Sequence, residues 1–409
     1  GEEQHVEMRS KSISEGLNLH AENNKFVIFR EHHSGLWFIR RSKEICERGM
    51  YIGLNGFEYQ VYMDIKEVTD GADRKYQILC DTLQGRGCYD LETEWQEICY
   101  RELYQTLSAY ATTVIPAVHS MVQPAAGKIS DAEIKKHLKE VISSAENAAV
   151  AFYEMAAKYA GEAKLSAADK QYKKFAKLTE KVLLLNNENK AKVSEDIIAS
   201  LKKAKNADSY LQTLFGTDKN LPEQLICFAM VKELASLGLA EKWAFARKFA
   251  EYLTSAGINL GDTRNNINRL FILSTVCNAA AIAKDEKTAL YKIVKLMCEG
   301  EKAVILTGAN CYDGVVWFNK ETSDWTLAHG FAVALMDEKN EDAAVKAFAT
   351  LVKAKDNAEY KCEEFLKPFA PKEKAAKKTA AKATKKAKDD SEKKSEKPAK
   401  KTAAKKSKK

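Results

Sequence analysis

Proline and glycine are scarce in this chain. Its 409 residues include 19 glycines and 6 prolines, about half of the average share of about 12%. This composition excludes collagen-like and low-complexity chains and disfavours a turn-rich all-β fold. No proline occurs between Pro222 and Pro368, which predicts a long helical stretch there because proline interrupts helices.

Long apolar runs and paired cysteine motifs are also missing. No run approaches the about 20 residues that a membrane-spanning helix needs. The nine cysteines include no C-x-x-C pair, which predicts unpaired structural thiols in a reducing compartment and disfavours a disulfide scaffold or a zinc site. We therefore expect a cytoplasmic protein. The chain starts at Gly1 rather than Met, so we expect that the natural N-terminal portion is missing.

The formal net charge of +8 is unevenly distributed. Residues 371–409 hold 17 lysines and 5 acidic residues, a net charge of +12, so the preceding 370 residues carry −4. This division excludes a globally basic nucleic-acid-binding domain. The tail has no aromatic residue and no Leu, Ile, Val, Met or Cys, so it cannot offset the entropy of ordering, and 371–409 is predicted to be disordered.

The first part of the chain, residues 1–70, is predicted to be a small antiparallel β-domain. Short apolar runs at 25–30 and 36–39 flank a turn at 33–35. Asn55-Gly56 predicts a tight hairpin turn. Segment 59–66 alternates with period two. Four of its residues are therefore expected to face a core: Tyr59, Val61, Met63 and Ile65.

Helical periodicity follows from Asp90 onward, where apolar residues recur at spacings of three and four. We predict a helical connection over 71–123, with interruptions at Pro116, Pro124 and Gly127. Ser130-Asp131-Ala132-Glu133 is a capping box that begins an α-helical domain over 128–370. The predicted fold class is α+β: a small antiparallel sheet, a large helical domain and the basic tail.

One segment of the helical domain, residues 308–321, has a different character. Gly308 to Gly314 is rich in turn-forming residues, and the next four residues favour a strand. We predict an irregular aromatic insertion, and such loops often carry function. A loop that fills the core is the structural alternative.

Familiar catalytic and cofactor motifs are absent. His32 and His33 would point to opposite faces of a strand, so one metal could not easily use both. The glycines match neither a P-loop nor a dinucleotide fingerprint. Carboxylates cluster at Asp64, Glu67, Asp70 and Asp73 and could perform acid–base chemistry, but a solvated strand end explains them more simply. We predict no catalytic residue, no metal and no cofactor.

Three segments resemble the α-amylase family of glycoside hydrolases. Residues 53–68, and then 83–87 with Leu91, resemble a stretch downstream of the catalytic barrel in bacterial members, and residues 310–321 resemble a motif of their appended helical region. The barrel motifs of the family, a G-x-R-x-D strand end and an H-D pair, do not occur in this chain. The resemblance therefore implies a non-catalytic C-terminal accessory region that supports a missing barrel and alone hydrolyses no α-glucan. Its expected partners are that barrel and α-glucan.

Aromatic side chains provide the remaining route to sugar, because their faces suit the C–H faces of glucose rings. Four candidates for carbohydrate contact follow: Trp317, Trp325, Trp37 and Tyr59. Trp37 and Tyr59 have a core position as the alternative. Trp317 and Trp325 are the stronger candidates because charged, turn-forming sequence flanks them.

Functions unrelated to carbohydrate are also compatible with this sequence. The Lys/Ala-rich tail resembles linker-histone tails in composition and could bind nucleic acid weakly by neutralising phosphates. A lysine-rich end can also serve only as a solubilising appendage. A helical scaffold for a protein partner is a third possibility.

Overall fold

The computed structural model describes residues 10–124, 127, 129–187, 196–258, 261–337 and 339–371. It has the predicted α+β architecture, with a three-stranded antiparallel sheet followed by helices. The predicted disorder of the tail falls almost entirely on residues 372–409, outside the described residues. The elements of the first part are α1 (Ile13–Gly16), β1 (Lys25–Glu31), β2 (Trp37–Arg41), α2 (Ser42–Arg48), β3 (Tyr62–Thr69), α3 (Lys75–Leu83) and α4 (Leu91–Cys99).

The larger part is helical apart from one hairpin. Its first helices are α5 (Arg101–Val122), α6 (Asp131–Ala160), α7 (Ala168–Asn187), α8 (Ile197–Leu201), α9 (Ala207–Thr217), α10 (Leu221–Met230), α11 (Lys232–Ser236), α12 (Leu239–Lys242) and α13 (Phe245–Ser255). They are followed by α14 (Thr263–Ser274), α15 (Ala279–Lys284), α16 (Glu286–Cys298), α17 (Glu301–Thr307), β4 (Asn310–Tyr312), β5 (Val315–Trp317), α18 (Lys320–Ala334), α19 (Glu341–Asn357) and α20 (Cys362–Leu366).

The sheet has β1 at its centre, with β2 and β3 antiparallel on either side. On one face Phe26 packs in a buried cluster with Leu79 of α3. On the other face Phe29 packs with Ile45 of α2. Two helices therefore cover the sheet, and the prediction of a small antiparallel sheet before residue 70 is confirmed.

The predicted buried face of segment 59–66 is wrong. Tyr59 is 72% exposed, and Val61, Met63 and Ile65 are about 40% exposed. β3 is an edge strand whose register shifts opposite Ile28 and Arg30, where Asp64 has a φ of 56°. The contacts of α2 and α3 are mainly with β1 and β2, so most of β3 stays exposed; Val68 is its buried residue, and Tyr62 at the other end packs against Phe29.

The predicted hairpin at Asn55-Gly56 is also wrong. The chain makes an isolated turn there, in which the Glu58 N–H donates to the Asn55 carbonyl at 3.1 Å. No strand occupies 50–56, and β3 pairs with β1 instead, where the His32 N–H donates to the Val61 carbonyl at 2.8 Å. The Asn55-Gly56 sequence therefore forms a turn, as its residue types favour, but the segments on either side of the turn do not pair as strands.

Helix α5 continues through Pro116, so the predicted interruption at this residue is wrong. The neighbours Val114 and Val118 are buried, and their packing outweighs the loss of one backbone hydrogen bond. Tyr110 of α5 packs against Phe152 of α6 in one core shared with the later helices. Within the predicted connection, 71–123, α3 and α4 thus pack with the sheet, whereas α5 belongs to the helical core.

The predicted capping box at the start of α6 is confirmed. The Glu133 N–H donates to Ser130 Oγ at 3.3 Å, and the Ser130 N–H donates to Glu133 Oε2 at 2.9 Å. The prediction of an irregular insertion at 308–321 is wrong: the segment forms the regular β4–β5 hairpin, whose turn residues Asp313 and Gly314 have φ values of 51° and 74°. Positive φ at both positions is the requirement of a type I′ turn, which Asp-Gly satisfies. Phe318 anchors the hairpin against Phe365 of α20, with ring centroids 5.6 Å apart.

Candidate ligand-binding cleft

The four aromatic candidates lie at separate places. Trp37 is partly buried and packs with the Phe26 cluster, as its core alternative required. Tyr59 is exposed, so it does not have the core position that was its alternative. Its ring makes a T-shaped contact with the ring of His33. Trp317 lies half-buried in β5 with Lys361 Nζ 5.6 Å from its ring centroid. Two of the four line clefts: Tyr59 lines one of about 500 Å³ beside His33, and Trp325 lines a larger, more polar one.

This cleft, which we call the Trp325 cleft, has a volume of about 830 Å³ and lies between α9, α10, α14 and α18. Its walls combine one indole ring with carboxylate, amide, guanidinium and imidazole groups. The residues used below are Asp218, Lys219, Asn220, Asn266, Arg269, Glu321, Trp325 and His329.

Local sequence fixes two walls of the cleft. Asp218 leaves the helical conformation at the end of α9, and its Oδ1 accepts the Asn220 N–H at 3.0 Å, which holds the turn into α10. At the other wall, Asn319 caps α18 by accepting the Thr322 N–H at 2.9 Å. Trp325 and His329 are four residues apart on this helix and therefore share a face, with ring centroids 5.4 Å apart.

The imidazole of His329 is a buried polar group with unused hydrogen-bonding capacity. The residue is 4% exposed, and its Nε2 lies 3.5 Å from Asp218 Oδ2. That contact is too long and too poorly aligned for a hydrogen bond, and Nε2 has no hydrogen-bond partner within the described part of the chain. Buried polar atoms are nearly always paired, so an unpaired one calls for an explanation.

Arg269 presents a similar case on α14. Its Nη2 donates to the Ile305 carbonyl at 3.4 Å, whereas its buried Nε has no partner in the described ranges. Burial lowers the pKa of the guanidinium, and the charge of Asp262 opposes this effect. A half-buried cation and a buried imidazole thus line the same cleft as Trp325.

The carboxylates clustered in and just after β3 have structural partners instead. Asp64 Oδ2 accepts from Arg30 Nε at 2.9 Å, and Glu67 binds the N–H and ring of His20. Asp70 accepts the N–H groups of Tyr76 and Gln77 at the start of α3. These contacts account for three of the four carboxylates without an acid–base site.

Sequence reasoning found one residue of the cleft, Trp325, and missed Asp218, Arg269 and His329 as its neighbours. These residues come from helices separated by about 50 residues each, and no local pattern links them. The one available signal was the spacing of Trp325 and His329 on a predicted helix.

Other kinds of site find no support in the described residues. No group of three or more His, Cys, Asp or Glu side chains there could hold a metal ion. None of the described helices has both the length and the apolar character to cross a membrane. All nine cysteines are free, as predicted.

Comparisons with known proteins identify no relative: no protein-family model, no curated protein and no solved structure matches this chain.

Proposed function

We propose that this chain is a non-catalytic C-terminal accessory region of an α-amylase-family enzyme, and that it contacts α-glucan through the Trp325 cleft. The observation that carries the proposal is the indole ring of Trp325 in the wall of a polar cleft. Ligand sites typically combine an apolar face with a few polar groups that fix orientation. The indole would cover one face of a glucose ring, and the amides of Asn220 and Asn266 would bind its hydroxyls.

The second part of the proposal is that the sheet packs against the missing catalytic barrel. Segment 51–65 exposes eight large apolar side chains, among them Tyr51 at 95% and Phe57 at 109%. Exposed apolar patches of this kind mark interaction surfaces. This surface, together with the resemblance of residues 53–68 to the family, supports a barrel as the partner.

Binding of maltoheptaose by isothermal titration calorimetry tests the contact with α-glucan. Trp325→Ala should weaken binding at least tenfold, because the stacking surface is removed. Trp317→Ala is the matched control, since Trp317 lies in β5 and does not line the cleft; its affinity should stay within twofold. No binding by the wild-type chain, or equal loss in both variants, would contradict the proposal.

A second candidate function is weak nucleic-acid binding by the tail. The charge division supports it, since residues 371–409 carry a net +12 and the rest of the chain −4. Such binding neutralises phosphates and should fall steeply between ~50 and ~200 mM salt. The free cysteines support a cytoplasmic location for either function.

Truncation after Ala370 separates the two candidates. The truncated chain should keep the melting temperature of the full chain, because the tail offers no aromatic residue and no Leu, Ile, Val, Met or Cys to a core. It should lose binding to a fluorescent DNA duplex in an anisotropy titration. Binding that survives truncation would contradict the assignment to the tail, because the nucleic-acid site would then lie on the acidic body.

A further inference from the structure

The Trp325 cleft contains two cationic side chains, Arg269 and Lys219, beside the carboxylates of Asp218 and Glu321. Arg269 lines the cleft; its buried Nε has no hydrogen-bond partner among the described residues, and its Nη2 donates to the neutral Ile305 carbonyl at 3.4 Å. Lys219 lines the same cleft and is exposed. A partly buried guanidinium is stabilised by a bound anion, which replaces the lost hydration.

The carboxylate closest to the buried His329 is already engaged. Asp218 uses Oδ1 for the Asn220 N–H and turns Oδ2 toward His329. Glu321 is exposed at the start of α18. Neither carboxylate pairs with Arg269 in the described part of the chain.

Two helix N-termini open at this cleft, that of α10 beside Asn220 and that of α18 beside Glu321 and Thr322. Helix N-termini carry partial positive charge, which favours phosphate, while the Thr322 and Asn220 N–H groups here already donate to Asn319 and Asp218. The independent sign of a ligand is His329 in the same wall, which is 4% exposed and whose Nε2, 3.5 Å from Asp218 Oδ2, has no hydrogen-bond partner among the residues described.

We propose that the Trp325 cleft binds a phosphorylated sugar, with the phosphate held by Arg269 and Lys219 and the sugar ring on Trp325. His329 Nε2 hydrogen-bonds an oxygen of the same ligand. The inference rests on the proposed contact with α-glucan, because it uses the same cleft, and it narrows the ligand to a glucose unit that carries a phosphate ester.

The test compares glucose 6-phosphate, glucose 1-phosphate, glucose, maltoheptaose and inorganic phosphate by titration calorimetry with the full chain. At least one of the two sugar phosphates should bind tenfold or more tightly than glucose, and its affinity should fall with added salt. Arg269→Gln should remove at least tenfold of that affinity and leave maltoheptaose binding within threefold. Arg269→Lys keeps the charge and should recover part of the loss, which excludes a folding defect as the cause.

Arg264→Gln is the matched control, because Arg264 is exposed on the same helix and does not line the cleft; it should bind as the wild type does. Equal affinity for glucose and both sugar phosphates would overturn the inference and leave the contact with α-glucan standing. Binding of a sugar phosphate without maltoheptaose binding would support the inference and overturn the proposed α-glucan contact. Tight binding of inorganic phosphate that Trp325→Ala does not change would overturn the assignment of a sugar ligand.

Discussion

At the scale of single residues, Glu31 shows how one carboxylate holds a turn. It is the last residue of β1, and its two oxygens accept the N–H groups of His33 at 2.9 Å and Ser34 at 2.6 Å. Hydrogen bonds from the Ser34 hydroxyl and from these two N–H groups lower the pKa of Glu31 from its ordinary 4.5 to about 2. The ionised form is therefore the one that fits the turn between β1 and β2.

This lowered pKa predicts a specific dependence of stability on pH. The folded-state pKa lies below the unfolded value, so the contribution is fully present above about pH 4.5 and is lost as the pH falls toward 2. Glu31→Gln should remove this contribution, so its free energy of unfolding should fall less steeply between pH 5 and 2 than that of the wild type. Urea denaturation over this range measures the slopes. Glu44→Gln on the exposed side of α2 is the control, and equal slopes for the two variants would count against this role of Glu31.

At the scale of elements, the capping box of α6 has a measurable energy. α6 runs from Asp131 to Ala160, and Ser130 satisfies one of its free N–H groups. Ser130→Ala should lower the free energy of unfolding by about 1 kcal/mol, measured by guanidinium denaturation.

The matched control for this helix is Ser144→Ala. Ser144 is exposed in the middle of α6, where its hydroxyl donates to the Val141 carbonyl at 2.9 Å. We expect this substitution to change stability by less than about 0.5 kcal/mol. A loss at Ser144 as large as the loss at Ser130 would contradict the assignment of the cap.

Elements with local causes were predictable from the sequence. The Ser130 cap and the Asp313-Gly314 turn depend on residues within a few positions of each other, and both form as expected. The predictions at Pro116 and over the alternating segment that ends at Ile65 are wrong because the structure at both places depends on packing against residues distant in sequence. Buried neighbours of Pro116 keep α5 intact. Most of β3 stays exposed because α2 and α3 contact mainly the other two strands. The Trp325 cleft belongs to this second kind, since Arg269 meets Trp325 only after the helices have packed.

At the scale of the whole molecule, the chain should release no reducing sugar from soluble starch above the blank. The motifs that carry the catalytic carboxylates in the α-amylase family, to which we propose that the chain is related, are absent from its 409 residues. Asp218→Asn is assayed beside the wild type, because Asp218 is a carboxylate of the candidate cleft and would be the first suspect for any hydrolysis observed. Hydrolysis by the wild-type chain that this or another carboxylate substitution abolishes would contradict the non-catalytic assignment.

Tyr100, between α4 and α5, lies where the sheet part of the chain joins the helical core. Its ring packs against those of Tyr104, Tyr159 and Trp243. Nearby, Glu97 of α4 accepts from Arg247 of α13 at 2.6 Å. The sheet part is therefore fastened to the helical part through rings and an ion pair.

The membership of α5 in the helical core has a consequence for a chain divided in two. If the gene is split after residue 126, the first piece carries α5 with Leu107, Tyr110 and Val114, which the second piece must cover. Neither piece alone can bury its part of the helical core. When the two pieces associate, they can form all the contacts of the intact chain and lack only the peptide bond at the split. We expect the two pieces, produced together with an affinity tag on one, to purify as a stoichiometric pair. A split after residue 100 places α5 on the second piece. We expect that this second piece, which then holds the whole helical core, folds without the first piece.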